Sequence, residues 1–231
     1  MTLANLRKEL KRARKGRDRQ TRKWKRTHKA GHGKAAKQWA AKARSLRKRI
    51  TAATRVRWIS PKGVEFIASW EGFPNDGKPY NDPVGYATVG YGHLLGYRPV
   101  TAEDNRAIWV PGQKERGRLT KDEARRLLRQ KLRQSYEPPV RKLFTSGPLK
   151  GRFTPGAYDA LVSFAFNLGP GSVQGVPGFE TMGRAIESGS LGQISKAMKL
   201  YDKAGGSALP GLTRRRKAEA LLLITGIHRN N

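Results

Sequence analysis

The chain has 231 residues, 48 lysines and arginines against 17 aspartates and glutamates, a formal net charge of +31 and no cysteine. A disulfide scaffold and cysteine-ligated metal or redox chemistry are excluded, and so basic a balance points to polyanionic partners. The charge is uneven: residues 1–57 carry 22 cations and 2 acids, whereas residues 58–231 carry 26 and 15. The sequence therefore predicts a basic extension over 1–57 and one domain with its own core over 58–231, a stretch of about 170 residues that is long enough to build one.

Within the extension, Leu3, Leu6 and Leu10, and later Trp39, Ala43, Leu46 and Ile50, recur at helical spacing. Gly31, His32 and Gly33 are expected to separate the two stretches, giving a basic helical hairpin or an arm that becomes helical on a polyanion. Trp24 and Trp39 among lysines and arginines suit a membrane interface or a polyanion groove. His28 and His32 are four apart but lack a third ligand, so no metal site is expected.

The next element is punctuated at both ends. Ser60 is a helix N-cap, Pro61 takes the first helical position, and Gly72 supplies a left-handed stop. Val64, Ile67, Ala68 and Glu71 share one face, while Glu65 falls elsewhere and can stay in water. A half-buried carboxyl at a helix C-terminus resists ionisation, as a general acid must. After turn residues Pro74 to Pro79, short β-type runs broken at Asp82 to Gly85 predict a small hairpin or meander. Asp82 at its entry and Thr88 on its return could hold one water between them. Taken singly, an Asp before Pro83 is a turn former and a Thr in a strand is packing.

Further along, residues 94–118, with Tyr97, Pro99, Trp109, Pro111 and Gly117, show no period and read as a long loop near the site. Thr120 to Glu123 form a capping box, with Ala124, Leu127, Leu128 and Leu132 as the buried stripe behind it, and Pro138 and Pro139 are expected to end that helix. Thr154 and Pro155 open an apolar core helix that Gly169 stops, two helical patterns follow near 180–188 and 191–201, and Leu212 to Thr225 close the domain.

Trp70 to Gly72, the segment Asp82 to His93, the helix Tyr158 to Gly169 and the run Ala204 to Glu219 together resemble the phage-type lysozymes, glycoside hydrolase family twenty-four, over about residues 58 to 226. Asp82, Thr88 and His93 keep the family's mutual spacing, whereas the loop from Phe73 to Tyr80 carries two extra residues. The resemblance implies an α+β, lysozyme-like fold: a mostly helical lobe, a small β-hairpin lobe and a cleft between them, here with a basic helical N-terminal arm. It implies Glu71 as general acid, Asp82 with Thr88 positioning or activating water, and Phe166 and Asn167 as cleft wall. His93 is implied as the structural partner of a carboxylate. The implied reaction is inverting hydrolysis of the β-1,4 link between N-acetylmuramic acid and N-acetylglucosamine in peptidoglycan; retaining and transglycosylase outcomes use the same acid and stay open.

The cluster Arg214 to Lys217 suits docking on anionic wall polymer or carboxylate pairing inside the fold. For residues 1–57 the expected partner is an anionic wall polymer, with an anionic membrane or nucleic acid as competing uses. No cofactor is expected, and the chain is expected to be a monomer. Lacking an apolar run for a signal peptide or transmembrane segment, it is expected in the host cytoplasm until lysis, relying on a separate holin-type partner. The opposing reading is a polyanion- or nucleic-acid-binding protein with an inactive lysozyme-like domain.

Overall fold

The computed structural model describes residues 3–56, 58–106 and 117–230, and the chain divides into two compact units, Met1–Arg55 and Val56–Asn231. Trp109 and Pro111 lie outside the described residues, as do the side chains of Leu3 and Ile50.

The first unit is an antiparallel pair of helices, α1 (Leu3–Thr27) and α2 (Ala30–Thr54). Leu6, Ala13, Ala43 and Leu46 are buried between them, flanked by Leu10 and Trp39. Two notches bring the helices together. A Cβ on Gly16 would sit 2.7 Å from the Trp39 ring, and one on Gly33 would sit 3.2 Å from Trp24. Gly31, His32 and Gly33 therefore do not separate the helices as expected; they lie in the first turns of α2, where Gly33 accommodates an indole. The break comes earlier, at His28, which takes a left-handed φ of 52°. His32 Nδ1 meets Gln20 Oε1 at 3.1 Å, and His28 lies against Trp24.

The second unit opens with α3 (Pro61–Glu71), whose Ser60 cap accepts from the Gly63 N–H at 2.9 Å and whose stop is Gly72 at φ 72°. Asp159 anchors this helix start, accepting from Ser60 N at 3.0 Å, from Ser60 Oγ, and at 3.1 Å from His228 Nε2. Val64, Phe66, Ile67 and Ala68 enter the core. A three-stranded antiparallel sheet follows, β1 (Tyr80–Asn81), β2 (Ala87–Val89) and β3 (His93–Gly96), in the order β1-β2-β3. Tyr80 pairs with Thr88, and Val89 with His93. The stretch 94–118 is thus not all loop: Leu94 to Gly96 belong to β3, and Ala102–Arg106 form α4, fastened by the Arg98–Asp104 ion pair.

Helix α5 (Lys121–Lys131) carries the expected capping box and buries Ala124, Leu127 and Leu128; Arg125 also reaches across to Glu65 at 2.6 Å, so Glu65 is paired rather than merely hydrated. Pro138 and Pro139 do not end this region. The chain passes through a π turn (Leu132–Tyr136) into α6 (Glu137–Thr145), where the prolines occupy the first turn, whose N–H groups have no intrahelical partner to lose. Helix α7 (Pro155–Leu168) runs through the core, with every residue from Gly156 to Ala165 buried. Then come α8 (Glu180–Glu187), α9 (Leu191–Met198), a short ribbon of β4 (Lys203–Ala204) and β5 (Ser207–Ala208), and α10 (Pro210–Thr225), packed on α7 and α9. Gly205 and Gly206, at φ 58° and 83°, make the ribbon's two-residue turn. No helix among the described residues is long and apolar enough to cross a membrane.

Glu137 is fully buried; its Oε2 accepts from Ile59 N at 2.8 Å and from the Tyr158 hydroxyl at 2.9 Å. Burial pushes its carboxyl above the usual range, against the downward pull of those two hydrogen bonds. The folded chain then holds a proton that the unfolded chain has released, so the stabilisation is complete below the ordinary carboxylate value and is lost as pH rises through the folded one. Urea unfolding of Glu137→Gln from about pH 4 to about pH 8 should therefore give a flatter stability profile than the parent. A profile as steep as the parent's would assign the slope to other groups.

Candidate active site

Glu71 ends α3, and the sequence explains why it stops there: Gly72 turns the chain out through a φ that disfavours a side chain. The carboxyl is 27% exposed, and Oε1 accepts from Arg215 Nη1 at 2.7 Å. Its neighbour is thus a cation from α10 as well as the apolar face of its own helix. Arg215 is held in turn by Glu219, Nε to Oε1 at 3.2 Å, and Glu219 Oε1 accepts from Ser163 on α7 at 2.6 Å. Arg216 adds Nη1 to Glu219 Oε2 at 2.9 Å, donates to Asn167 Oδ1, and lays its guanidinium over Phe164. Of the basic run at 214–217, Arg215 and Arg216 are therefore buried carboxylate partners, while Arg214 and Lys217 are exposed.

Asp82 follows β1 at the turn into β2. Its Oδ1 accepts from Val84 N and Tyr86 N, both at 2.9 Å, and its own N–H donates to Tyr86 O at 3.0 Å, extending the ladder by one step. Both side-chain bonds use Oδ1; Oδ2 has no hydrogen bond to a described residue. Thr88 is buried in β2 and its hydroxyl donates to Tyr86 O at 3.1 Å, which leaves oxygen lone pairs for an incoming O–H. Because Thr88 pairs with Tyr80, and strand side chains repeat every second residue, Tyr80, Asp82 and Thr88 lie on one face as direct or diagonal neighbours.

Burial first, then the negative charges of Asp82 and Glu71, push the Tyr80 phenol above the ordinary value, so both acids act on one ring. On the helical side, the Tyr136 phenol is likewise raised by burial and then by Glu71. Tyr136 meets Phe166 edge to face at 5.0 Å, and Lys131 Nζ lies 5.9 Å from the same Phe166 ring. Phe166 is thus part of a half-buried aromatic wall. Asn167 gives its Oδ1 to Arg216, which leaves its amide N–H groups for any other partner.

His93 begins β3, and here the structure departs from the expected carboxylate partnership. The charged neighbour is Lys131, which also donates to Gly92 O at 2.8 Å; burial first and then this cation depress the imidazole's pKa. Among the described residues no carboxylate bonds His93. Tyr80, Lys131, Tyr136 and Arg215 were not singled out as site residues from sequence. Arg215 stood in a flagged basic run, but the other three carried no local signal.

Glu219 is fully buried between two arginines, so Glu219→Gln strands positive charge in the core; we expect a loss of about 3–5 kcal/mol, or roughly 10 °C in Tm by calorimetry. A change below about 1 kcal/mol would mean that the arginines find other partners. At His93, protonation is disfavoured in the fold, so this group takes stability away as pH falls from its ordinary value through the depressed one. Lys131→Met should move the His93 titration upward in NMR and weaken that acid-side loss; an unmoved titration would remove Lys131 as a cause.

Residues 68–219 match the family described as phage lysozyme. The chain is 29% identical over 172 residues to an endolysin of Bacillus phage B103, covering 74% of this chain and 56% of that relative. It is 28% identical over 173 residues to a SAR-endolysin of Haemophilus phage HP1, covering 72% and 81%. It thus spans little more than half the length of the Bacillus phage relative. Among solved structures, the muramidase domain of SpmX from Asticaccaulis excentricus superposes with a TM-score of 0.52 at 26% identity, covering 74% of this chain and 99% of that one. The fold is lysozyme-like, and the chain belongs to the phage lysozyme family.

Proposed function

We propose that the chain is an endolysin-type muramidase that hydrolyses the β-1,4 bond between N-acetylmuramic acid and N-acetylglucosamine. The observation that supports it best is Glu71 itself, a part-exposed carboxylate at the end of α3 whose Oε1 is fixed by Arg215 at 2.7 Å. With Asp82 as the second carboxylate, this makes the pair of acids that glycoside hydrolysis uses. Glu71, aimed by Arg215, protonates the leaving oxygen. Asp82 Oδ2 and the Thr88 oxygen hold a water on the opposite side of the sugar, in keeping with inversion. Phe166 and Tyr136 offer apolar ring surface to a pyranose, and the Asn167 amide can donate to its hydroxyls. His93 and Lys131 support the β2–β3 turn.

No cofactor enters this scheme. The enzyme would work as a monomer, remain in the host cytoplasm until a holin-type partner opens the membrane, and use residues 1–57 to hold anionic wall material. Purified peptidoglycan gives the test. The parent should release muropeptides with reducing N-acetylmuramic acid ends, read by mass spectrometry, and Glu71→Gln should lower the rate by about 10²–10⁴-fold. Full activity in Glu71→Gln, or ends of another chemistry, would sink this assignment.

A further inference from the structure

The hairpin α1–α2 shows which kind of polyanion it is made for. Its apolar side chains are spent internally: Leu6, Ala13, Ala43 and Leu46 are buried, Leu10 and Trp39 pack against them, and Trp24, 42% exposed, is the large apolar side chain left outside among its described residues. Inserting into a lipid interface requires a continuous apolar helix face, which the described residues of this surface do not provide. The cations are instead displayed. Arg12, Lys15, Arg19 and Arg22 follow one another at i, i+3, i+7 and i+10 and line a groove of about 650 Å³ around Gly16 and Trp39. At 1.5 Å per residue the row runs about 15 Å, with neighbouring charges roughly 5–6 Å apart. Asp18 is the acid at the groove, and Arg17 pairs with it at 2.7 Å.

The indoles narrow the choice further. Single-stranded nucleic acids are held by a basic groove together with aromatic faces on which bases stack. Trp39 lies with its ring over Gly16 and with Lys42 Nζ 5.6 Å from its centroid, and Trp24 packs beside Gly33 and His28. Trp39, the indole at the groove, is committed to holding the hairpin together, packed on Gly16 with Lys42 over its ring, while Trp24 lies outside the groove. What remains is a track for a backbone of regularly spaced phosphates that carries no bases.

We propose that the groove of Arg12, Lys15, Arg19 and Arg22 binds a linear polyol-phosphate polymer of the bacterial wall, one phosphodiester per helical turn. The choice of a wall polymer rests on the muramidase reading; the groove and its base-free ligand chemistry do not. Binding is best measured on the full chain carrying Glu71→Gln, with purified poly(glycerol phosphate), so that hydrolysis is separate from retention. Neutralising the four groove residues to serine should weaken binding by on the order of 10–100-fold and lower the salt slope by about 3, while neutralising Lys37, Arg44, Arg47 and Lys48, exposed on α2, should do much less. Equal losses from the two sets would overturn the groove in favour of diffuse charge. Tighter binding of a thymidine oligonucleotide than of the polymer would overturn the ligand class, as would leakage of phosphatidylglycerol vesicles. Failure of the muramidase assay with the polymer still bound would overturn only the enzymatic reading.

Discussion

The buried cluster around Glu219 is the constraint on which the second unit turns. One carboxylate, fully buried on α10, holds two arginines; one of those holds Glu71 at the end of α3, the other holds Asn167 at the end of α7, and Ser163 ties the same carboxylate to the middle of α7. Three helices far apart in sequence are fixed relative to one another through charge rather than apolar packing alone. Buried ion pairs cost much desolvation and are weak sources of net stability. Their use here is geometric: a guanidinium fork with two carboxylates in fixed directions leaves Glu71 few orientations. A lysine at 215 would carry the charge without the fork.

The β side is organised by the opposite means. Asp82 and Thr88 are positioned almost wholly by backbone groups of the turn, with Tyr86 the shared partner, accepting from Thr88 and donating to Asp82. Such a turn is short and needs no distant residue to form. The two halves of the candidate site thus have different failure modes. Damage to α10 would misplace Glu71, while damage to the turn would misplace Asp82 and Thr88.

That difference also decides what could be read in advance. Ser60 and Gly72 around α3, the capping box of α5 and the Thr154 cap of α7 were legible because each is a local signal within a few residues. Asp82 and Thr88 were legible as a spacing within one small sheet. The partner of Glu71 was legible only as a type: carboxylate pairing inside the fold was one of two uses open to the run 214–217, but nothing local could say that Arg215, 144 residues away, would meet Glu71. The π turn that carries α5 into α6 hid the prolines' role as a beginning rather than an end. His93 misled for another reason: its expected partner type came from resemblance, while its charged neighbour, Lys131, comes from a helix whose register no motif fixed.

The hairpin poses a separate physical question, how a segment with 22 cations and 2 acids through residue 57 folds as helices at all. Like charges on neighbouring turns repel, and α1 has no acid in its first turn to meet the helix dipole. Against this stand four buried apolar side chains and two indole-on-glycine notches. Gly16 and Gly33 cost helix propensity, roughly 1 kcal/mol each. That cost is offset most clearly at Gly16, where only a glycine leaves room for the opposing indole of Trp39 against the backbone, bringing the helices close enough to bury so small a core. A bound polyanion would lessen the remaining opposition, because neutralising the cations relieves repulsion that helix formation and pairing bring closer. Folding of the hairpin and binding of any polyanion are therefore thermodynamically linked: whatever binds the paired form better than the open one stabilises it by that difference in binding free energy.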